Sequence, residues 1–103
     1  MEDIFEKTDI IRDSILKFVP AICIYLFGSY VYGDPTEHSD IDIYIVTPDH
    51  INNFSEFYPK IIGDLGDEKI YFVDLILKTE SVFNERSKTS NFEKTIISKG
   101  RAR

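Results

Sequence analysis

The sequence predicts an α/β (α+β) domain: a small mixed β-sheet with helices packed on one face. Three observations carry this. Three short runs of strand-forming residues, Ala21–Phe27, Asp40–Val46 and Ile70–Leu77, are bounded by proline, glycine or polar residues. Longer segments with apolar residues at helical spacing flank and separate them. The link between the first two runs, residues 28–39, is too short for a full crossover helix. Those two strands are therefore neighbours in an antiparallel or mixed sheet.

The elements follow in order. Residues 2–18 predict an amphipathic helix, with Ile4, Ile11, Ile15 and Phe18 on one stripe. Glu2, Asp3 and Glu6 lie in its first turn, where the helix dipole favours anions. Pro20 stops it. Ala21–Phe27 is continuously apolar, as suits a strand covered on both faces. Gly28-Ser29 follows as a turn, Tyr30–Gly33 as a helical turn, and Gly33-Asp34-Pro35 ends it. In the second strand, alternation sets Asp40, Asp42 and Tyr44 on one face and Ile41, Ile43 and Ile45 on the other. Tyr44 is expected to face outward near the carboxylates.

Residues 50–62 have helical spacing, with a kink or early stop expected at Pro59. Residues 63–68, GDLGDE, are expected to be a loop. Ile70–Leu77 is the third strand and carries one charge, Asp74. Residues 79–99 are mostly helical in propensity, with a last helix starting at Ser90 or Asn91 and Gly100 as its end signal.

Composition bounds the function. At 103 residues and 43% hydrophobic content, one domain spanning residues 1–103 is expected. No apolar run reaches the ~20 residues that span a bilayer, and the acidic N-terminus is unlike a signal peptide. The expectation is a cytoplasmic protein. One cysteine, Cys23, sits in an apolar run and supports neither a disulfide framework nor a zinc site. His38 and His50 lack metal-ligand spacing. Residues 1–77 hold 15 Asp/Glu and 5 Lys/Arg, and residues 78–103 hold 3 and 7. An acidic body argues against a long nucleic acid as main partner. The basic segment suits phosphate, an acidic partner, or simply a solvated helix face.

Three aspartates on two strands suggest chemistry. Asp40 and Asp42 repel each other unless a cation lies between them. Asp74, within an otherwise apolar strand, is costly without a partner. A divalent cation suits both, because Mg²⁺ takes oxygen ligands and bridges carboxylates to substrate phosphates. Two such ions can clamp the attacking and leaving oxygens of a phosphoryl transfer. The Gly28-Ser29 turn offers backbone N–H groups and a hydroxyl to phosphates. Each feature also has a plain structural alternative: a solvated strand end for Asp40 and Asp42, a salt-bridged acid for Asp74, a helix cap for Ser29.

The stretch GSYVYGDPTEHSDID resembles the G-S, ten residues, D-x-D pattern of the polymerase-β-like nucleotidyltransferases. The short chain is similar to their minimal branch, often antitoxins paired with a helical HEPN-type toxin. The resemblance implies that Gly28 and Ser29 bind nucleotide phosphates, and that Asp40, Asp42 and Asp74 are catalytic carboxylates and metal ligands. It implies two Mg²⁺ ions, ATP, and transfer of a nucleoside monophosphate to a hydroxyl, in the antitoxin branch a tyrosine of the toxin. Two departures stand out. Tyr32 occupies the position of a frequent arginine, so Arg86, Lys88 or another cation would have to help hold phosphate. The chain closes on Gly100-Arg-Ala-Arg where the family continues with a short apolar strand, so that edge strand is expected to be missing, leaving an edge open to a homo- or hetero-oligomeric partner. The alternatives to the enzyme are a binding module that neutralises a toxin by contact and, more weakly supported, a small-molecule nucleotidyltransferase.

Overall fold

The structure, a computed structural model, describes residues 4–28, 31 and 40–103. Helix α1 (Ile4–Phe18) leads into β1 (Cys23–Phe27). Then come β2 (Ile41–Thr47), α2 (Phe54–Asp67), β3 (Val73–Thr79), α3 (Glu80–Thr89), α4 (Asn91–Lys99) and β4 (Arg101–Ala102). The sheet order is β3-β2-β1-β4. β1 runs antiparallel to β2 and β4, and β3 runs parallel to β2. This is the expected mixed α/β class.

The layering is fuller than helices on one face. Ile41, Ile43 and Ile45 of β2 pack with Ile24 and Leu26 of β1, with Ile11 and Ile15 of α1, and with Ile61 and Leu65 of α2. On the other face, Tyr44 and Val46 join Phe27, Phe83 of α3 and Ile96 of α4. The period of two thus delivers consecutive residues of β2 to two separate cores.

Two boundary expectations are corrected on α2. It runs through Pro59 without stopping and takes in Gly63 and Gly66, which were expected in a loop. Pro59 sits near the start of the helix, so it removes a single ladder bond, that to Ser55. Ile61 and Leu65, both fully buried, hold the rest of the helix against the sheet. The turn falls later, where Lys69 adopts a φ of 61°. That delays β3 to Val73, three residues past the expected start.

The edge strand expected to be missing is present. Ala102 lies opposite Tyr25 and Arg101 opposite Leu26, and the Arg103 N–H donates to the Ile24 carbonyl at 2.7 Å. Strand pairing needs only backbone groups, so the lack of apolar residues did not forbid it. Arg103 also pairs with Asp9 of α1, which ties the end of the chain to the first helix.

Tyr44 is likewise corrected: it is fully buried, not outward. Its ring meets Phe83 and Phe92 at 5.4 and 6.0 Å between centroids, and its hydroxyl donates to Glu93 Oε2 at 2.9 Å. Arg86 Nε donates to the same oxygen at 2.9 Å. Burial opposes the charge on Glu93, but Arg86, Ser90 and Tyr44 together overcome it and hold the carboxyl down to about 2. Burial, then Glu93 itself, pushes the Tyr44 phenol up.

A depressed folded-state carboxyl stabilises the fold above its unfolded value, and that contribution is lost as pH falls through the folded value. Glu93→Gln should therefore show a shallower loss of stability between about pH 5 and 2 than the parent, followed by urea unfolding at each pH. At neutral pH Tyr44→Phe should cost on the order of 1–3 kcal/mol, because it leaves a buried carboxylate short of one donor.

Candidate active site

The site is built where β1 ends and β2 and β3 begin. β1 stops at Phe27, which lies opposite Asp42 in the antiparallel pair. Gly28 follows with a φ of +81°, a backbone conformation that side chains of the L series rarely adopt. A Cβ at this position would lie 2.0 Å from Asp42 Oδ2 and 2.9 Å from its Cγ. Glycine is thus required twice, by the turn and by the carboxylate packed against its Cα. The Gly28 carbonyl accepts from Val31 N–H at 3.0 Å. Ser29, Tyr30 and residues 32–39 lie outside the described residues, and with them the helical turn and polar loop expected there.

Asp42 and Asp74 face each other across the parallel β2–β3 pair, where strands lie roughly 4.8 Å apart. The Ile41 N–H donates to the Phe72 carbonyl at 2.8 Å, which extends the parallel register backwards and sets Phe72 beside Asp40. Asp40 and Asp74 are exposed, and Asp42 is half-buried. The Asp42 carboxyl is raised above the usual range, first by burial and then by the charges of Asp74 and Asp40. The three carboxylates therefore share one electrostatic site. Asp74 stands second on an edge strand and is exposed, so the expectation that burial makes it costly does not hold. Register, not desolvation, links it to Asp42.

Among the described residues, no three His, Cys, Asp or Glu side chains are gathered into a metal-binding group. The donor set nevertheless fits a hard divalent cation. It consists of carboxylate oxygens alone, and burial with the charges of Asp74 and Asp40 already disfavours the ionised form of Asp42. Such a site can hold a cation against a phosphate presented at the Gly28 turn, and a free carboxylate can accept a proton from an attacking hydroxyl.

One further expectation meets the structure. Arg86 does not stand as an uncommitted cation for phosphate, since its Nε is engaged with Glu93. Glu93 itself was not singled out in the sequence. Its spacing from Ser90 is that of a capping box and marks a helix start, but nothing local tells that it would reach under the sheet to Tyr44.

Residues 9–101 match the family model described as a nucleotidyltransferase domain. The chain belongs to that family, and the protein is a nucleotidyltransferase. MJ0604 of Methanocaldococcus jannaschii, provisionally named a protein adenylyltransferase, is 35% identical over 78 residues, covering 76% of this chain and 73% of its own. Among solved structures, a toxin–antitoxin crystallised with AMP-PNP is similar at a TM-score of 0.59 and 24% identity, over 91% of this chain and 69% of that one. The toxin–antitoxin MntA–HpeT, in a variant with two aspartates two positions apart changed to glutamate, gives 0.52 and 22%, over 98% and 72%. These likenesses establish the fold. No described helix is long and apolar enough to cross a membrane.

Two outcomes follow from the geometry. Gly28→Ala should destabilise by on the order of 1–3 kcal/mol, and part of that cost should vanish in an Asp42→Ala background, read as a coupling in a double-mutant cycle by urea unfolding. Asp42 keeps its proton more tightly in the folded state, so ionising it opposes folding as pH rises out of the carboxylate range. Asp42→Asn should then melt higher than the parent at pH 7 without divalent cations, and the difference should close when pH falls below that range, as measured by calorimetry.

Proposed function

We propose that this nucleotidyltransferase moves a nucleoside monophosphate, AMP from ATP, to a hydroxyl of a partner protein, a tyrosine of a HEPN-type toxin, and acts in the cytoplasm as its antitoxin. The observation that carries the reading is the parallel register that sets Asp74 opposite Asp42, beside a glycine turn packed against the same carboxylate. The likeness to a provisionally named protein adenylyltransferase supports a protein acceptor. The toxin–antitoxin structures, one crystallised with AMP-PNP, support the nucleotide and the type of partner.

In this reading Gly28 and Ser29 present N–H groups and a hydroxyl to the phosphates. Asp40, Asp42 and Asp74 would hold Mg²⁺, two ions in the full assembly, which supplies charge neutralisation on the phosphates when bound. The acceptor oxygen attacks the α-phosphorus, a new P–O bond forms, and the bond to the β-phosphate oxygen breaks to release pyrophosphate. The acceptor's proton passes to one of the three carboxylates, of which Asp40 and Asp74 are exposed. The half-buried Asp42, held against Gly28, cannot swing away and fixes the geometry of the group.

The test is label transfer from α-labelled ATP with Mg²⁺ to the product of the neighbouring reading frame, which the reading expects to be a short all-helical protein. Transfer is expected with the parent and is expected to fall to background with Asp42→Ala. Tight binding to the partner without transfer, with neutralisation intact in Asp42→Ala, would instead assign a contact-only antitoxin.

A further inference from the structure

β3 is an edge strand: β2 pairs one side of it, and among the described residues no strand pairs the other. The parity of its backbone can be read from one bond. The Phe72 carbonyl points to β2, where it accepts from Ile41. Backbone groups alternate sides along a strand, so Asp74, Ile76 and Lys78 also address β2. Val73, Leu75, Leu77 and Thr79 turn their N–H and C=O groups to the open side. This edge is seven residues long and free of proline and glycine, and it carries none of the usual devices that protect an edge apart from its charges.

Those charges have a pattern. Asp74 and Lys78 lie on one face, four residues apart, a span of roughly 13 Å in a strand, so they cannot pair within one chain. Neither takes part in an ion pair of the described structure.

We propose that the open edge of β3 is a homodimer interface, in which two copies pair antiparallel about Ile76 and continue one sheet through both. Backbone parity admits only pairings that place open-side residues opposite each other. Of these, the one centred on Ile76 sets Leu75 opposite Leu77 and Val73 opposite Thr79 as hydrogen-bonded pairs. It sets each Asp74 opposite the Lys78 of the other copy as a non-hydrogen-bonded pair, in which side chains lie closest. Registers displaced by two residues in either direction place Asp74 or Lys78 opposite Ile76 and lose the match. Ile76, half-buried beside the Tyr44 core, meets its own copy on the two-fold axis, as a symmetric dimer requires. The pairing also sets a lysine of one copy beside the carboxylates of the other, in a sequence that has Tyr32 where an arginine is frequent. This last consequence deepens the proposed chemistry and rests on it; the interface does not.

Sedimentation equilibrium of the full chain should give twice the 12.0 kDa chain mass. Lys78→Glu sets two acids opposite each other and should yield a monomer that is folded by circular dichroism, and adding Asp74→Lys should restore the dimer. Mild oxidation of Ile76→Cys should give a disulfide-linked dimer, whereas Lys78→Cys and the parent, which carries Cys23, should not. A monomeric parent, a dimer that persists in Lys78→Glu, or failure of Ile76→Cys to cross-link would overturn the proposal. None of these readouts depends on nucleotide transfer, so a failure of the interface is distinguishable from a failure of the chemistry.

Discussion

Asp42 is pressed against the Cα of Gly28, and the rest of the site depends on that contact. The contact needs a left-handed backbone at the end of β1 and the absence of any side chain there. Both follow from glycine. Once the chain turns in this way, the carboxylate has few places to go. It faces Asp74 across a parallel register, and burial, then the charges of Asp74 and Asp40, raise its proton affinity. A half-buried acid with two like-charged neighbours is a poor element of an isolated fold. In the proposed function a counter-charge bound there would recover the stability lost by holding it.

β2 transmits this constraint to the rest of the molecule. Its branched odd-numbered residues anchor α1 and α2, and its even-numbered ones run from Asp42 to Tyr44 to Val46. The site and the second core are therefore successive positions of one strand face. Tyr44 lies two residues from Asp42 and is clamped by Glu93 and Arg86. That network is a buried carboxylate held by a buried phenol and an exposed guanidinium, and removing a donor leaves a buried charge short of a partner. Its effect is to fix α4 under the strand that carries the carboxylates. A change at Glu93 would reach the site through the position of β2, without touching a substrate.

Electrostatics divides the chain in the same place. The acidic part ends with β3, and the basic part begins at Lys78 on the same strand. Asp74 and Lys78 stand toward the two ends of an edge that has no strand beyond it among the described residues. An edge with opposite charges at its ends is complementary to its own two-fold copy, which is the physical content of the dimer inferred above.

Much of this was legible locally. The strands, the helix stripe of α1, the Gly28 turn and the Asp-x-Asp pair can all be read from spacing and residue type, because backbone conformation and side-chain alternation are short-range properties. The link from Asp42 to Asp74 could be suspected from the sequence through the resemblance, but the parallel register that joins them is a tertiary fact. The same holds for what local rules misjudged. Pro59 and two glycines should weaken α2, yet burial of Ile61 and Leu65 carries the helix past them. Arg101 and Ala102 have no strand signature, yet an available backbone edge on β1 recruits them. Tyr44 could not be placed by alternation alone, since that rule tells which face a residue takes and not whether a helix will later cover it. The sequence by itself determined the turn, the carboxylates and their face. Only the tertiary structure decided what packs against that face, because burial depends on segments distant in the chain.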